Sequence, residues 1–282
     1  KLGLTSIKTL CFVKDIEKII CGFDEPFSHP TMIPTYYLAQ GAKQYADAVL
    51  SGEGADEIFA GYGRYRSELI ARKLKRTPAI FRNSVMYSLS LFKPFIPADT
   101  QLRNKIERAI KKISLIGGEE DLRYVRHFQM FNTDERQQVL NPEFFDSSSI
   151  SDNIYLDRMK SENGYYARRF VLDINTWLHD QMLTKADRMT MIHSLEARVP
   201  FLDHRLVEFS TTIPDDLKFT LNTSKLIVRE AAKNFLPKTI HRRPKHGFAV
   251  PVDQMFRGEL KEFMFDTINS GRKNNDYLDY NT

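Results

Sequence analysis

The spacing of apolar residues predicts short strands alternating with helices over the first sixty residues of the chain. Apolar runs at residues 9–13 and 48–50 have the length of buried strands. Asp15 begins a predicted helix whose isoleucines face inward, and residues 34–46 form a second predicted helix. Strand, helix, strand and helix in this order predict parallel strands with helical crossovers, and therefore an α/β protein with a doubly wound sheet.

From residue 64 to about residue 177 the apolar positions follow helical spacing, and no segment has the pattern of a strand. Prolines and a glycine pair divide this stretch into several helices. Residues 79–95 predict an amphipathic helix with its aromatic side chains on the buried side. Five phenylalanines are expected in the core rather than at a cofactor: Phe128, Phe131, Phe144, Phe145 and Phe170.

The stretch at residues 51–62 combines glycines and acids between a predicted strand and a predicted helix. Gly52 and Gly54 allow the backbone to approach a ligand closely, and the N–H groups of such a turn attract anions. Its three acids are Glu53, Asp56 and Glu57. If phosphates bind here, Mg²⁺ between carboxylate and phosphate oxygens is the usual solution. The same acids also suit a plain helix start, because carboxylates complement the helix dipole.

Three cations further along the chain are candidates for binding an anion. Lys185 and Arg188 are three residues apart on a predicted helix and share one face, where they can clamp a carboxylate or phosphate. The alternative is an ion pair with Asp187 or Glu196. Lys225 opens another predicted helix, where its charge opposes the helix dipole unless it faces an anion.

Composition narrows the class of protein. The 282 residues carry a formal net charge of +5, but the basic residues are spread out. The densest basic cluster, at residues 64–76, lacks an aromatic reading surface, which favours a solvated helix face over nucleic-acid binding. No apolar run is long enough for a membrane span. Cys11 and Cys21 lie in apolar sequence, which predicts reduced, buried thiols and a cytoplasmic protein.

Four blocks of sequence, taken together, resemble the synthetase domain of glutamine-dependent asparagine synthetases. These blocks are residues 51–62, residues 195–203, Lys225 with Arg229, and residues 245–248. The resemblance covers nearly the whole chain, and four ordered blocks are far more specific than any single one.

This resemblance implies an adenine nucleotide alpha hydrolase-like fold with a parallel sheet and a large helical region. It also implies that Mg-ATP adenylylates the side-chain carboxylate of aspartate. Ammonia, delivered from glutamine by an N-terminal glutaminase domain, then attacks the β-aspartyl-AMP to give asparagine, AMP and pyrophosphate. The resemblance implies neither nucleic acid nor membrane as a partner, and it is compatible with a homodimer.

The resemblance also implies roles for particular residues. Asp56 helps to hold the Mg-pyrophosphate group, Glu53 is the base for incoming ammonium, and Lys225 neutralises charge on the α-phosphate. The residues implied at the nucleotide are Ser51, Gly52 and Gly54. The residues implied at the substrate are Glu57, Lys185 and Arg188.

Two elements of the family pattern are missing from this sequence. They are the phosphate-cradling Ser-Gly-Gly-x-Asp-Ser-Ser loop that follows the first strand, and the N-terminal cysteine of the glutaminase domain. We therefore expect residues 1–282 to be the C-terminal part of the synthetase domain, without its N-terminal strand, and to be inactive alone.

Two other functions stay open from the sequence. Related amidotransferases, such as β-lactam synthetases or enzymes of secondary metabolism and cell-envelope synthesis, adenylylate other carboxylates. A non-catalytic interaction module is a second alternative. The joint presence of Glu53, Asp56 and Lys225 argues against the module, because packing alone does not require all three.

Overall fold

The computed structural model describes residues 15–96, 100–114, 116, 118–129, 131, 133–145, 150–160, 164–241, 243, 247, 250–272 and 276–278. The predicted strand at residues 9–13 lies outside these described residues. The same is true of Lys245, His246 and Phe248, which belong to the fourth sequence block.

The sheet in the described structure is a pair of parallel strands. Strand β1 (Ala48–Leu50) pairs with β2 (Glu196–Arg198), with Val49 opposite Ala197. The pairing continues past β1, because the Ser51 N–H donates to the Arg198 carbonyl oxygen at 2.7 Å. The sheet is parallel, as expected for an α/β protein, but the strand at Glu196–Arg198 was not predicted. The predicted pairing of residues 48–50 with the strand at 9–13 stays a prediction. Within β2 the side chains of Glu196 and Arg198 form an ion pair at 2.9 Å.

Helices make up most of the remaining described chain. The first group comprises α1 (Ile16–Ile20), α2 (Met32–Lys43), α3 (Ala55–Ile58), α4 (Gly63–Lys75), α5 (Ala79–Phe92), α6 (Gln101–Ser114), α7 (Glu120–Val125), α8 (Thr133–Val139) and α9 (Ile150–Met159). The second comprises α10 (Tyr165–Leu172), α11 (Thr184–Met191), α12 (His204–Thr212), α13 (Asp215–Lys218), α14 (Leu226–Ala232), α15 (Lys238–His241), α16 (Val252–Arg257) and α17 (Lys261–Gly271). The predicted helical region after residue 64 is confirmed, since its described residues contain no strand up to residue 177.

A π-helical segment, Asp173–Leu183, joins α10 to α11 without a break. Its wider turn is rare in proteins and often occurs at functional sites. One end of the segment carries the buried Asp173, and its middle carries Trp177. No feature of the sequence predicted this winding.

Among the described residues, three apolar clusters form the core. An aromatic cluster packs α4, α7, α9 and α10 together around Tyr65, Tyr124 and Phe170. A second cluster packs α1 and α2 against α11. The third joins Ile58 of α3 to Ile213 and reaches α14 through residues 227 and 228. The third cluster therefore links the end of α3, the helix that follows the glycine-rich turn, to the helix that follows Lys225.

A buried ion network crosslinks the helical region. Arg123 donates two hydrogen bonds to Glu68, at 3.0 and 2.7 Å, and both side chains are almost fully buried. The Tyr165 hydroxyl also donates to Glu68, and Arg169 Nη2 lies 3.7 Å from Glu68 Oε2. Because two buried charges stabilise one another only when both are present, the loss of either one should be costly.

Several expectations about burial are wrong. Phe81, Tyr87 and Phe92 of α5 are 67%, 66% and 65% exposed. The described neighbours of α5 are α6 and the short 3₁₀ turn at Lys93–Phe95, and these do not cover the rings. Phe170 is buried and Phe128 packs against the same cluster, as predicted. Phe131 and Phe144 are exposed, and Phe145 is half-buried.

The first elements of the chain also depart from expectation. Leu50 is 77% exposed, because among the described residues β1 has a strand partner on one side only. Ile20 and Cys21 are exposed at the end of α1. Asp15 stands at the start of α1, but its carboxylate accepts from the Tyr37 hydroxyl at 2.6 Å instead of capping the helix.

Within the described part of the chain, no helix has both the length and the apolar character needed to cross a lipid bilayer.

We expect Arg123→Met to lower the free energy of unfolding by about 3 kcal/mol, because it leaves the Glu68 carboxylate buried without its bidentate partner. The matched control is Lys160→Met, which removes an exposed ion pair with Asp157. Chemical denaturation of both variants measures the difference. Equal stabilities would contradict the structural role assigned to the buried network.

Candidate active site

The glycine-rich turn lies between β1 and α3, as the sequence predicts. Gly54 adopts φ +88° at the start of α3, and a Cβ added there would collide with the Leu202 side chain. Gly54 is therefore required by the fold itself. Gly52 is exposed, and an added Cβ would meet no atom within 4 Å. The turn consequently presents an open side at Gly52, where a ligand can reach the backbone.

Glu53 forms an ion pair with Lys185 of α11, with 3.1 Å between Oε1 and Nζ. The Lys185 side chain is only 6% exposed, and that of Glu53 is 26% exposed. The partner of Lys185 is thus neither Asp187 nor Glu196, the two alternatives open from the sequence. Two predicted site residues that are far apart in the chain meet directly.

Asp56 forms a second ion pair, with Lys225, at 3.0 Å between Oδ1 and Nζ. Lys225 has φ +54°, a left-handed conformation that is uncommon outside glycine. Gly61 lies against this pair, since a Cβ there would overlap both the Asp56 carboxylate and the Lys225 side chain. The anion that Lys225 faces at its helix start is therefore Asp56.

Arg229, which accompanies Lys225 in the third sequence block, holds the backbone on either side of α14. Its Nε donates to the Ser224 carbonyl oxygen at 3.1 Å, and its Nη1 donates to that of His241 at 2.9 Å. The carbonyl group directly before Lys225, that of Ser224, is therefore held by Arg229. Arg229 contributes to the site by positioning the chain at Lys225.

Glu57 points away from the open side of the turn. Its side chain is buried, and its carboxylate accepts a hydrogen bond of 2.5 Å from the Tyr62 hydroxyl. Burial raises the pKa of Glu57, and the nearby charges of Asp56 and Asp173 raise it further, against the effect of Tyr62. The Tyr62 oxygen in turn accepts from the Trp177 indole N–H at 3.0 Å. Direct substrate contact by Glu57 stays a prediction.

Arg64 joins the site to the helical region. Its guanidinium lies 4.1 Å from the centre of the Tyr62 ring and 2.8 Å from Asp173. Asp173 is fully buried and also accepts from the hydroxyls of Tyr65 and Tyr124. The Tyr62 ring, whose hydroxyl binds Glu57, is therefore held by the Arg64–Asp173 pair of the helical region.

His29 is a neighbour of the site that the sequence did not indicate. Its Nδ1 lies 2.6 Å from the Thr31 hydroxyl, and its ring packs edge-on against Trp177. Burial, together with the Lys185 charge, lowers the pKa of His29 to about 4. The only sequence signal was its place before Pro30, in a loop stiffened by prolines.

The described contacts do not bring every predicted residue together. Arg188 pairs with Asp24 of the loop after α1 rather than with a group of the turn. Both members of that pair are exposed, and their side chains are 44% and 75% accessible. Ser51 contributes its backbone N–H to the sheet. For Arg188 and Ser51, contact with a ligand stays a prediction.

The donor set fits Mg²⁺ held together with phosphate. Among the described residues, no group of three or more His, Cys, Asp or Glu side chains is arranged to bind a metal. Mg²⁺ commonly uses only one or two protein carboxylates and takes other oxygens from phosphates. Asp56 supplies one such carboxylate, and its Oδ1 also pairs with Lys225.

The arrangement as a whole suits chemistry on an anionic ligand. Two ammonium groups and two carboxylates border a turn with an open backbone at Gly52. The ammonium groups can neutralise phosphate or carboxylate oxygens, and a carboxylate such as Glu53 can take up a proton.

The chain is similar to known proteins over nearly its full length. The asparagine synthase family matches residues 7–281. Glutamine-hydrolysing asparagine synthetase 1 of Bacillus subtilis is 31% identical over 284 residues, covering 95% of this chain and 41% of that protein. A putative glutamine-hydrolysing asparagine synthetase of Mycobacterium bovis is 32% identical over 265 residues, covering 93% and 38% respectively.

These relatives are longer than the present chain. The chain spans about two fifths of the length of the Bacillus subtilis and Mycobacterium bovis proteins. A more distant relative, amidase chry2 of Gibberella zeae, is 25% identical over 232 residues, which cover 76% of the chain and 33% of that protein. No solved structure gives a significant match.

We expect Gly54→Ala to lower the melting temperature, because it forces a side chain into a left-handed position against Leu202. Gly52→Ala should leave the melting temperature unchanged, since the space beside Gly52 is open. Thermal unfolding of the two variants tests this contrast. An equal loss of stability in both would mean that Gly52 serves the fold and not a ligand.

The lowered pKa of His29 predicts a pH dependence of stability. Between about pH 6.5, its ordinary value in an unfolded chain, and about pH 4, the unfolded state binds a proton that the folded state does not. The free energy of unfolding should therefore fall as the pH falls through this window. His29→Asn should show a shallower fall in urea titrations. An identical pH profile in both proteins would contradict the buried, neutral His29.

Proposed function

The chain belongs to the asparagine synthase family, and on that basis we propose that it carries the ATP-dependent amidation site for aspartate. In this proposal Mg-ATP adenylylates the aspartate side chain, and ammonia derived from glutamine displaces AMP from β-aspartyl-AMP. The observation that carries the proposal is the pairing of Glu53 with Lys185 and of Asp56 with Lys225 around an open glycine turn.

Glu53 is proposed as the base that removes a proton from the attacking ammonium. It extends from the loop between β1 and α3, and it retains partial exposure. A carboxylate at the entry of a cationic site can receive a proton without a separate histidine. His29 is not proposed for this role, because its lowered pKa makes it a weak base and its Nδ1 is bonded to the Thr31 hydroxyl.

Lys225 is proposed to neutralise the charge that builds on the α-phosphate when pyrophosphate leaves. Its pairing with Asp56 keeps the ammonium oriented before the nucleotide binds. Asp56 is the proposed protein ligand of Mg²⁺, which would supply charge neutralisation of the pyrophosphate oxygens when bound. Positioned cations are the main protein contribution to phosphate displacement.

The remaining roles concern substrate binding. We propose that Lys185 leaves its ion pair with Glu53 and binds a carboxylate of aspartate. We also propose that Ser51, Gly52 and Gly54 line the nucleotide site. Glu57 is proposed to support substrate binding through its hydrogen bond with the Tyr62 hydroxyl. Arg188 would contribute only if it releases Asp24.

The domain assignment is part of the same proposal. We infer that residues 1–282 correspond to the C-terminal part of a synthetase domain with an adenine nucleotide alpha hydrolase-like fold. The match over residues 7–281 and the parallel β1–β2 pair support this inference. An N-terminal glutaminase domain would be the source of ammonia.

The first test is aspartate-dependent release of pyrophosphate from Mg-ATP with ammonia, measured on the intact protein. Glu53→Gln and Lys225→Ala should each lower the rate by at least about 100-fold, since one removes the base and the other removes a transition-state cation. Lys233→Ala is the matched control, because Lys233 follows α14 and is exposed in a pair with Glu230. Full activity in either site variant would refute its assigned role.

The second test separates nucleotide binding from folding. Gly52→Ala should raise the KM for ATP about tenfold or more, since a methyl group in the open side of the turn obstructs the phosphates. The melting temperature of this variant serves as the internal control. An unchanged KM for ATP would mean that Gly52 does not line the nucleotide site. In the first test, pyrophosphate release with another carboxylic acid but not with aspartate would mean that aspartate is not the substrate.

A further inference from the structure

A separate cavity of about 630 Å³ lies between α10 and the end of α12, and neither Glu53 nor Lys185 lines it. Its apolar wall is formed by Ile58, Phe170, Ile174 and Ile213, among others. A cavity of this size falls within the range of small-molecule sites. None of the roles proposed above uses it.

One charged group dominates this cavity. Lys218, at the end of α13, lines it and is only 3% exposed. Its ammonium lies 4.4 Å from the centre of the Phe170 ring, and no described carboxylate comes within ion-pair distance. Burial lowers the pKa of Lys218, and the charge of Asp215 opposes that effect. A buried ammonium without a carboxylate partner is energetically costly unless something else neutralises it.

The other polar groups of the wall do not satisfy Lys218. The hydroxyls of Ser210, Thr211 and Thr212 donate to carbonyl oxygens of their own helix. Asp215 also lines the cavity, and it is shared electrostatically between Lys218 and Arg72. Asp216 adds a second negative charge nearby, so these local charges balance. Lys218 is the cation that lines the cavity, and it has no carboxylate in ion-pair contact among the described residues.

We propose that this cavity binds a small organic anion, with its carboxylate on Lys218 and an apolar body against Phe170 and Ile174. The apolar wall excludes a bare inorganic anion as a good occupant, because such an ion would lose hydration without gaining apolar contact. A carboxylate with an aromatic or branched body satisfies both parts of the cavity.

The position of the cavity connects it to the candidate active site. Ile58 and Ile213 line it and also belong to the cluster that packs α3 and α14. Helix α3 carries Asp56, and α14 begins directly after Lys225. A molecule bound in the cavity therefore contacts the apolar support of the Asp56–Lys225 pair, although binding there does not depend on the proposed reaction.

The test is titration calorimetry of the intact protein with phenylacetate, its neutral analogue phenylacetamide, and inorganic phosphate. We expect phenylacetate to bind the wild type, and phosphate to bind far more weakly. Lys218→Met keeps the apolar stem and removes the charge, so it should weaken phenylacetate binding at least about tenfold and leave phenylacetamide unchanged. Lys233→Met, at an exposed lysine, should match the wild type.

Two further measurements keep the proposal open to refutation. Lys218→Met should melt at or above the wild-type temperature, since it removes an unpaired buried charge. If that variant fails to fold, Ala167→Leu narrows the cavity while Lys218 stays in place, and it must also lose phenylacetate binding. No binding to the wild type, or equal binding in a folded variant, would overturn the proposal.

Discussion

Two lysine–carboxylate pairs determine the shape of the glycine-rich turn. Glu53 and Asp56 are three residues apart in the turn, and each is fixed by a lysine from a distant helix. Such partly buried pairs are screened less than surface pairs, so they hold the side chains in one arrangement. The two pairs connect the turn to α11 and to the start of α14, which gives the candidate site its geometry.

The support beneath the turn comes from the helical region. Glu57 rests on Tyr62, and Tyr62 contacts both Arg64 and Trp177. Arg64 is anchored by the buried Asp173, at the start of the π-helical segment. The helical region therefore reaches the glycine-rich turn through a chain of buried polar contacts. It supports the turn through the contacts of Glu57 with Tyr62 and of Tyr62 with Arg64 and Trp177.

The sequence predicted the local parts of this site because local chemistry encodes them. A strand before Ser51, a glycine turn and a helix from Ala55 follow from residue type alone, and the structure confirms them. The partners of Lys185 and Lys225 could not be predicted, since nothing in local spacing specifies contacts between distant segments. The same limit applies to β2 and to the place of His29 beside Lys185.

Burial was harder to predict than secondary structure. The pattern of α5 indicates an apolar side, but whether another element covers that side depends on tertiary packing, and its rings are exposed. The π-helical winding of Asp173–Leu183 was also invisible, because the same apolar spacing fits an α-helix. In contrast, the four sequence blocks identified the family correctly, since their order is far more specific than the apolar pattern.

The central claim is that this site activates a carboxylate by adenylylation, and isotope transfer tests it most directly. Aspartate labelled with ¹⁸O in its side-chain carboxylate would be incubated with the intact protein, Mg-ATP and ammonia, and the AMP would be analysed by mass spectrometry. We predict one ¹⁸O atom in AMP, carried over when ammonia cleaves β-aspartyl-AMP. Label found instead in inorganic phosphate, or AMP formed without label, would contradict the account.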